Sequence, residues 1–270
     1  MPLAVCATPI GNLDDVTLRV LRELAEADLV LCEDTRHTKL LLDRHGVRAR
    51  RLLSYHRHNE ARRTAEVLPR LRAGERVALA SDAGQPGIND PGARLVAAAV
   101  EEGLPVTVLP GPTAVATALV ASGLAGQRYQ FLGYLPRSEG ALVALWNELR
   151  RWRHPAVAFE SPQRLPASLA SIARVEPERL VAVCRELTKR FEEVVRGPAA
   201  ELAQRFSEPP KGEITIVFGG AAAEARHGEE PTGLAAVAEL VAAGATRKTA
   251  ADVVSRLTGV SRNRLYSGSL

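Results

Sequence analysis

Apolar residues in this chain come in two patterns. Short, nearly continuous runs at residues 3–7, 29–32, 77–80 and 106–109 have the length of a buried strand, and a weaker one lies at 51–54. Between them, residues 16–27, 38–45, 60–72, 93–102 and 113–121 repeat apolar positions every three or four residues, the spacing of a helix with one greasy face. Strand and helix alternate with short connections. That rhythm predicts an α/β fold built on a mainly parallel, helix-covered sheet.

Residues 122–137 interrupt the rhythm with Gly123, Gly126, Gly133 and Pro136, which places a domain boundary there. Strand-like runs resume at 156–159, 180–184 and 214–218, with helical patterns at 162–173 and 199–206. A Gly-, Ala- and Glu-rich stretch, 219–233, reads as a flexible connector to a tail of two or three short helices. Within that tail Thr258-Gly259-Val260 separates 253–257 from 262–266, a spacing that suits a helix-turn-helix unit or any small helical hairpin. The predicted organisation is a first α/β domain at 1–121, a second at 122–222, and a connector with a helical tail at 223–270.

The turns that leave the strands are unusual. Residues 80–92, ASDAGQPGINDPG, place three Gly, two Pro and two Asp where a strand hands over to a helix. Gly84 and Gly87 let the backbone approach a ligand without a Cβ in the way. Asp90 and Pro91 read as the cap and first residue of the next helix, whereas Asp82 has no helix to cap and is free to bind a ligand. Thr8-Pro9-Ile10-Gly11-Asn12, Glu33-Asp34-Thr35-Arg36 and Pro110-Gly111-Pro112-Thr113-Ala114 occupy the same position after three other strands. In an open parallel sheet, ligands bind beyond the carboxyl ends of the strands, so four such loops predict one binding crevice.

Composition narrows the ligand only partly. Aromatics make up 4% of the chain, so the cores must be built from Ala, Val and Leu. The net charge of +4 permits an acidic partner. Residues 44–63 concentrate the positive charge, holding seven arginines against one acid, Glu60, with Tyr55, His56 and His58 interleaved; such faces can stack splayed RNA bases. The tail adds Arg247, Lys248, Arg256, Arg262 and Arg264 against Asp252, with Tyr266. Cys6, Cys32 and Cys184 sit in apolar runs with no CxxC spacing, which predicts buried, reduced thiols in a soluble cytoplasmic protein with no membrane partner. Neither GxGxxG after a strand nor a P-loop is present, no spacing suggests a metal, and there is no nucleophile elbow for acyl transfer.

Eight segments, ATPIGNLDDVTLR, CEDTRHTKLLL, SYHRHNE, SDAGQPGINDPG, VLPGPTA, FESPQRL, CRELTKRFEEVVRG and KGEITIV, occur in an order and spacing that resembles the bacterial ribosomal RNA small-subunit methyltransferase I group, which is similar in fold to the tetrapyrrole methylases. The resemblance covers essentially the whole chain. Gln85, Asn89 and Gln163 depart from its usual pattern of Thr, Ser and His. It implies two α/β domains of the class III methyltransferase type with S-adenosylmethionine in the cleft between them. The implied reaction is 2′-O-methylation of a cytidine ribose in the decoding region of 16S ribosomal RNA, in the small subunit or its precursor; a homodimer stays open. By motif position, Pro9, Ile10, Gly11, Asp82, Gly84, Gly87, Thr113 and Ala114 become cofactor residues in the first domain, with Gly212 facing them from the second.

Methyl transfer to a hydroxyl needs somewhere for the proton to go. Lys211 and Lys189, two of only four lysines, are candidates for a depressed pKa or for stabilising oxyanion charge. Glu33, Glu160 and Arg185 complete the candidate catalytic set. The competing reading of Glu186/Lys189 and Glu192/Arg196 is that they are ordinary helix pairs. Two other functions stay open: a methyltransferase for a tetrapyrrole or other metabolite, and a non-enzymatic ribosome-associated RNA-binding module.

Overall fold

The computed structural model describes residues 2–221, 229–258 and 260–268, and falls into two compact units, Met1–Gly220 and Ala221–Leu270. The apolar runs of the first lobe become β1 (Leu3–Cys6), β2 (Leu29–Cys32), β3 (Leu52–Ser54), β4 (Val77–Ala80) and β5 (Val106–Leu109). They form an all-parallel sheet in the order β3-β2-β4-β1-β5. β1, β2 and β4 are buried on both faces, which is why they read as unbroken apolar runs. The helices α1 (Leu18–Glu26), α2 (Thr35–Arg44), α3 (Glu60–Arg72), α4 (Ala93–Glu101) and α5 (Ala114–Ser122) connect successive strands or lead onward. Two apolar clusters, one led by Leu3, Leu29, Leu79 and Leu95 and one by Ala4, Leu24, Val30 and Ala78, line the two sides of the sheet.

The second lobe has its own five-stranded sheet, ordered β6-β7-β10-β8-β9. Its strands are β6 (Gln130–Tyr134), β7 (Ala156–Glu160), β8 (Leu180–Arg185), β9 (Glu193–Pro198) and β10 (Ile214–Phe218), with α6 (Glu139–Leu149), α7 (Leu165–Val175) and α8 (Ala199–Arg205). Only β6 and β7 are parallel; β10 runs antiparallel to β7 and β8, and β9 to β8. Trp146, fully buried, anchors this core and donates its indole N–H to Ser171 at 2.9 Å.

Two strands correct the sequence reading. β6 lies inside the stretch expected to be a boundary. Gly133, at φ 69, sits where the register between β6 and β7 shifts, so the glycine marks a bulge in a strand and not a linker. Glu192 and Arg196 are not a helix pair, because β9 begins at Glu193. Glu192 instead accepts the Thr188 N–H at 2.6 Å, and Arg196 donates to the carbonyls of Ala121 and Ser122 at the end of α5.

The lobes share a core. Ile10, Val115, Ala118 and Leu119 from the first pack with Val157, Ala182, Cys184, Leu187 and Val217 from the second. The two predicted domains at 1–121 and 122–222 thus each carry a sheet but lie within one compact unit. In the remaining unit α9 (Glu229–Ala242), α10 (Arg247–Thr258) and α11 (Arg262–Gly268) enclose Val237, Ala251, Val254 and Leu265. Residues 222–228 of the predicted connector, and Gly259 of the predicted turn, lie outside the described residues, whereas 229–233, expected to be connector, open α9. Among the described residues no helix is long and apolar enough to cross a membrane.

Candidate active site

The Gly- and Pro-rich loops meet at one edge of the first sheet, and specific bonds bring them together. Thr8 and Gly84 exchange backbone N–H···O bonds at 2.8 and 3.0 Å, and the Thr8 hydroxyl donates to the Ser81 carbonyl at 3.0 Å, stitching the turn after β1 to the turn after β4. The Asp34 N–H donates to Asp82 Oδ1 at 2.9 Å, which adds the turn after β2. Arg57, after β3, donates to the Asn89 carbonyl, and the Gly92 N–H donates to Glu60 at 3.1 Å. The turn after β5 comes so close to β1 that a Cβ on Gly111 would stand 2.8 Å from that of Ala7.

Between these loops and the second lobe lies a cavity of about 620 Å³. Its size falls in the range that holds a drug-sized ligand. Of the sequence-predicted residues, Ile10, Glu33, Asp82, Gly84, Thr113 and Ala114 line it from the first lobe, and Glu160 and Gly212 from the second. Pro9, Gly11, Gly87, Lys189, Arg185 and Lys211 do not. Gly11 and Lys189 instead line a second hollow, with Asn12, Arg44 and Arg190. Arg185 pairs with Glu193 at 3.1 Å and donates to the Lys211 carbonyl at 3.2 Å. Lys211 itself is exposed.

Five acidic residues border the cavity, Glu33, Asp82, Asp90, Glu160 and Glu213, although the Glu160 carboxylate is itself enclosed and presents no surface to it. Among the described residues, Arg57 is the one cation that lines it. Glu160 is buried and fully engaged, accepting from the Ser161 N–H at 2.8 Å and the Ser168 hydroxyl at 2.6 Å, with Arg164 at 3.2 Å. Burial, and then the charge on Asp82, raises the pKa of Glu33. Burial together with the charges on Glu33 and Asp82 pushes Asp90 up to about 7 against the pull of Arg57. Asp34, by contrast, caps α2, and its bonds to Arg36 hold it well below the usual carboxylate range.

The lysines do not behave as expected for a base. Burial opposes the charge on Lys189, but its bonds to Glu186 at 3.0 Å and Glu213 at 3.1 Å outweigh it and raise the pKa. Glu186 and Lys189 pair across a turn, not along a helix, with Glu186 at φ 51 and Thr188 at φ 66. Gly212 closes against this pair. At φ 97, a Cβ there would stand 2.4 Å from Glu186 Cγ. Gly212→Ala is therefore expected to cost about 2–3 kcal/mol from backbone strain and the displaced Glu186. In a thermal melt this lowers the midpoint by about 5–10 °C.

Sequence reasoning missed several lining residues. Asp90 is not the cap of α4; Gly92 holds that position at φ 137, with no side-chain cap bond. Gln85 and Asn89, two of the three departures from the family pattern, line the cavity, and the Asn89 amide nitrogen is buried with no hydrogen-bond partner among the described residues. Tyr134 and Phe159 form an aromatic wall, their rings meeting edge-on at 5.7 Å, and Phe131 backs Phe159 edge-on at 5.1 Å. In a chain with only five Phe and four Tyr, this local concentration was a usable signal.

The expected RNA surface also changes. Tyr55 is buried, with its hydroxyl between Thr64 and Glu60, so it is closed to base stacking. Arg44, Arg50 and Arg63 are paired with Asp14, Asp28 and Glu66. The three cysteines are free and buried, and burial pushes the Cys184 thiol up to about 11.

Residues 2–203 match the family of tetrapyrrole (corrin/porphyrin) methylases. The chain is 42% identical over 267 residues to a protein of Mesorhizobium japonicum named ribosomal RNA small subunit methyltransferase I, covering 98% of this chain and 90% of that one. It is 44% identical over 268 residues to the protein of the same name from Micromonospora olivasterospora, covering 98% and 85%. Among solved structures, uroporphyrin-III C-methyl transferase from Thermus thermophilus, complexed with S-adenosyl homocysteine, superposes with a TM-score of 0.55 at 19% identity, covering 81% of this chain and 97% of that one. That likeness is one of fold.

Proposed function

The chain belongs to the tetrapyrrole methylase family, in its ribosomal RNA small-subunit methyltransferase I branch, and on that premise we propose that it methylates a ribose 2′-hydroxyl of 16S ribosomal RNA using S-adenosylmethionine. The acceptor is a cytidine of the decoding region, presented by the small subunit or its precursor. The observation that carries the reading is the cavity between the lobes, with its carboxylates and an Asn89 amide that has no partner among the described residues.

The residues present suit such a donor. S-adenosylmethionine carries a sulfonium, an ammonium and ribose hydroxyls, all of which favour an acceptor-rich site. Glu33 and Asp82 supply carboxylate acceptors, and the Asn89 amide supplies a donor for a carboxylate or ring nitrogen. Ile10, Leu187, Phe159 and Tyr134 offer apolar and aromatic surface for a flat ring. When bound, the group would supply an electrophilic methyl on a sulfonium sulfur, whose positive charge is lost on transfer. The chain's own contribution is to hold the acceptor in line and keep water out, which supplies about 7–11 kcal/mol of such a barrier.

An RNA substrate is favoured over a tetrapyrrole by the tail. The family match ends at residue 203, whereas the two named relatives align over 98% of the chain. The tail also exposes Arg256 and Tyr266. The test is to incubate the protein with small subunits and methyl donor, then map added methyl groups by mass. One ribose methyl on a decoding-region cytidine is expected; methylation of a tetrapyrrole but not of RNA would overturn the reading. As a separate check, S-adenosylmethionine at 100 times its Kd should stabilise the protein by about 2.7 kcal/mol in a thermal melt.

A further inference from the structure

Four observations converge on one carboxylate. Of the five that border the cavity, three are committed. Glu160 is saturated by Ser161, Ser168 and Arg164; Asp82 accepts from Asp34 and lies 3.4 Å from His37; Glu213 is paired with Lys189. Glu33 and Asp90 make no hydrogen bond or ion pair among the described residues. The two are both half-buried but sit on different loops, Glu33 after β2 and Asp90 after β4. Ile88 and Tyr134 line the cavity yet are 48% and 58% exposed, so they mark its open side. Asp90, half-buried, lines the cavity from the same loop as Ile88, two residues away. Its neighbour Asn89 lies within 3.4 Å of where a Gly133 side chain would begin, directly beside Tyr134.

This loop is also stiff. Asn89 at φ 63 and Gly92 at φ 137 flank Asp90, Arg57 holds the Asn89 carbonyl, and Glu60 holds the Gly92 N–H. A carboxylate on such a loop loses little freedom when it meets a substrate. A ribose within a long polymer reaches a cavity of this size only from its open side.

We infer that Asp90 is the proton acceptor for the ribose hydroxyl, a role that rests on the methyl-transfer reading above. The hydroxyl oxygen gains the methyl carbon, the carbon–sulfur bond pair returns to sulfur, and the O–H proton passes to an Asp90 oxygen, from which it leaves to water. Burial is the main reason that Asp90 holds its proton more tightly than a free carboxylate; of the groups facing it, Glu33 at the end of β2 and Asp82 after β4 add to the rise, and Arg57 after β3 opposes it. The resulting value of about 7 suits a base working at neutral pH, and the basic form grows as pH rises through it.

The test compares the parent with Asp90→Asn, which keeps shape and removes the acceptor. Asp90→Asn is expected to bind S-adenosylmethionine within a few-fold of the parent by calorimetry, while single-turnover methyl transfer falls about 10²–10⁴-fold. The parent rate should decline on the acid side of about pH 7, and Asp90→Glu should retain part of the rate with the same acid limb. Carboxyl ¹³C resonances of Asp-labelled parent protein should include one titrating near pH 7 that disappears in Asp90→Asn. A variant rate within a few-fold of the parent, or an Asp90 resonance titrating in the ordinary carboxylate range, overturns the assignment. Should Asp90→Asn not fold, the resonance titration of the parent and the pH profile of Asp90→Glu decide. Failure of the parent to methylate RNA under the same conditions would instead strike the functional reading itself.

Discussion

Asp82→Ala is expected to weaken S-adenosylmethionine binding by about 10- to 100-fold, read by calorimetric titration. The carboxylate lines the cavity and holds the Asp34 N–H at 2.9 Å, so truncation removes an acceptor for the ligand and loosens the turn that carries Glu33. A hydrogen bond to a charged group contributes about 1.5–3 kcal/mol, and each 1.4 kcal/mol is a factor of ten. Asp82→Asn separates the two effects, because its amide oxygen can still accept from Asp34 while the charge is lost. If Asp82→Ala binds like the parent, the donor is held elsewhere.

The second large effect falls on stability. Glu160→Ala removes a carboxylate whose side chain is 0% exposed and leaves the Ser161 N–H, the Ser168 hydroxyl and Arg164 short of an acceptor. Breaking a buried pair from one side costs about 3–5 kcal/mol. Arg164 is partly exposed and keeps its bonds to the Leu135 and Pro136 carbonyls, so the lower end applies. A melting midpoint lower by about 6–12 °C is the expected readout. Those same carbonyls follow directly after Tyr134, so the aromatic wall should loosen with it. A midpoint unchanged within 2 °C would mean that the network adds nothing net, as some buried ion pairs do.

The first lobe was legible because its central strands are buried on both faces, and an unbroken apolar run admits few other readings. The second lobe was harder. Most of its strand pairs are antiparallel, β9 is half-exposed, and β6 is bent at Gly133, so turn residues masked the strands. The gathering of the loops followed from topology: every parallel strand delivers its exit to the same edge. What sequence could not supply was backbone sign. Asp90 before Pro91 and Gly92 looks like a helix start, and only the positive φ of Asn89 and Gly92 turns it toward the cavity. The lysines misled for a related reason. A lysine beside a carboxylate reads as an activated amine, but Lys189 has two carboxylates and is tied down as a cation.

The apolar seam of Ile10, Val115 and Leu119 against Val157, Ala182 and Val217 has a thermodynamic corollary. Swinging the lobes apart would wet that seam, so the pocket is ready-made and the donor enters without a hinge. Its association should therefore show the modest heat-capacity decrease of ligand burial alone, and none of the larger drop that accompanies folding around a guest.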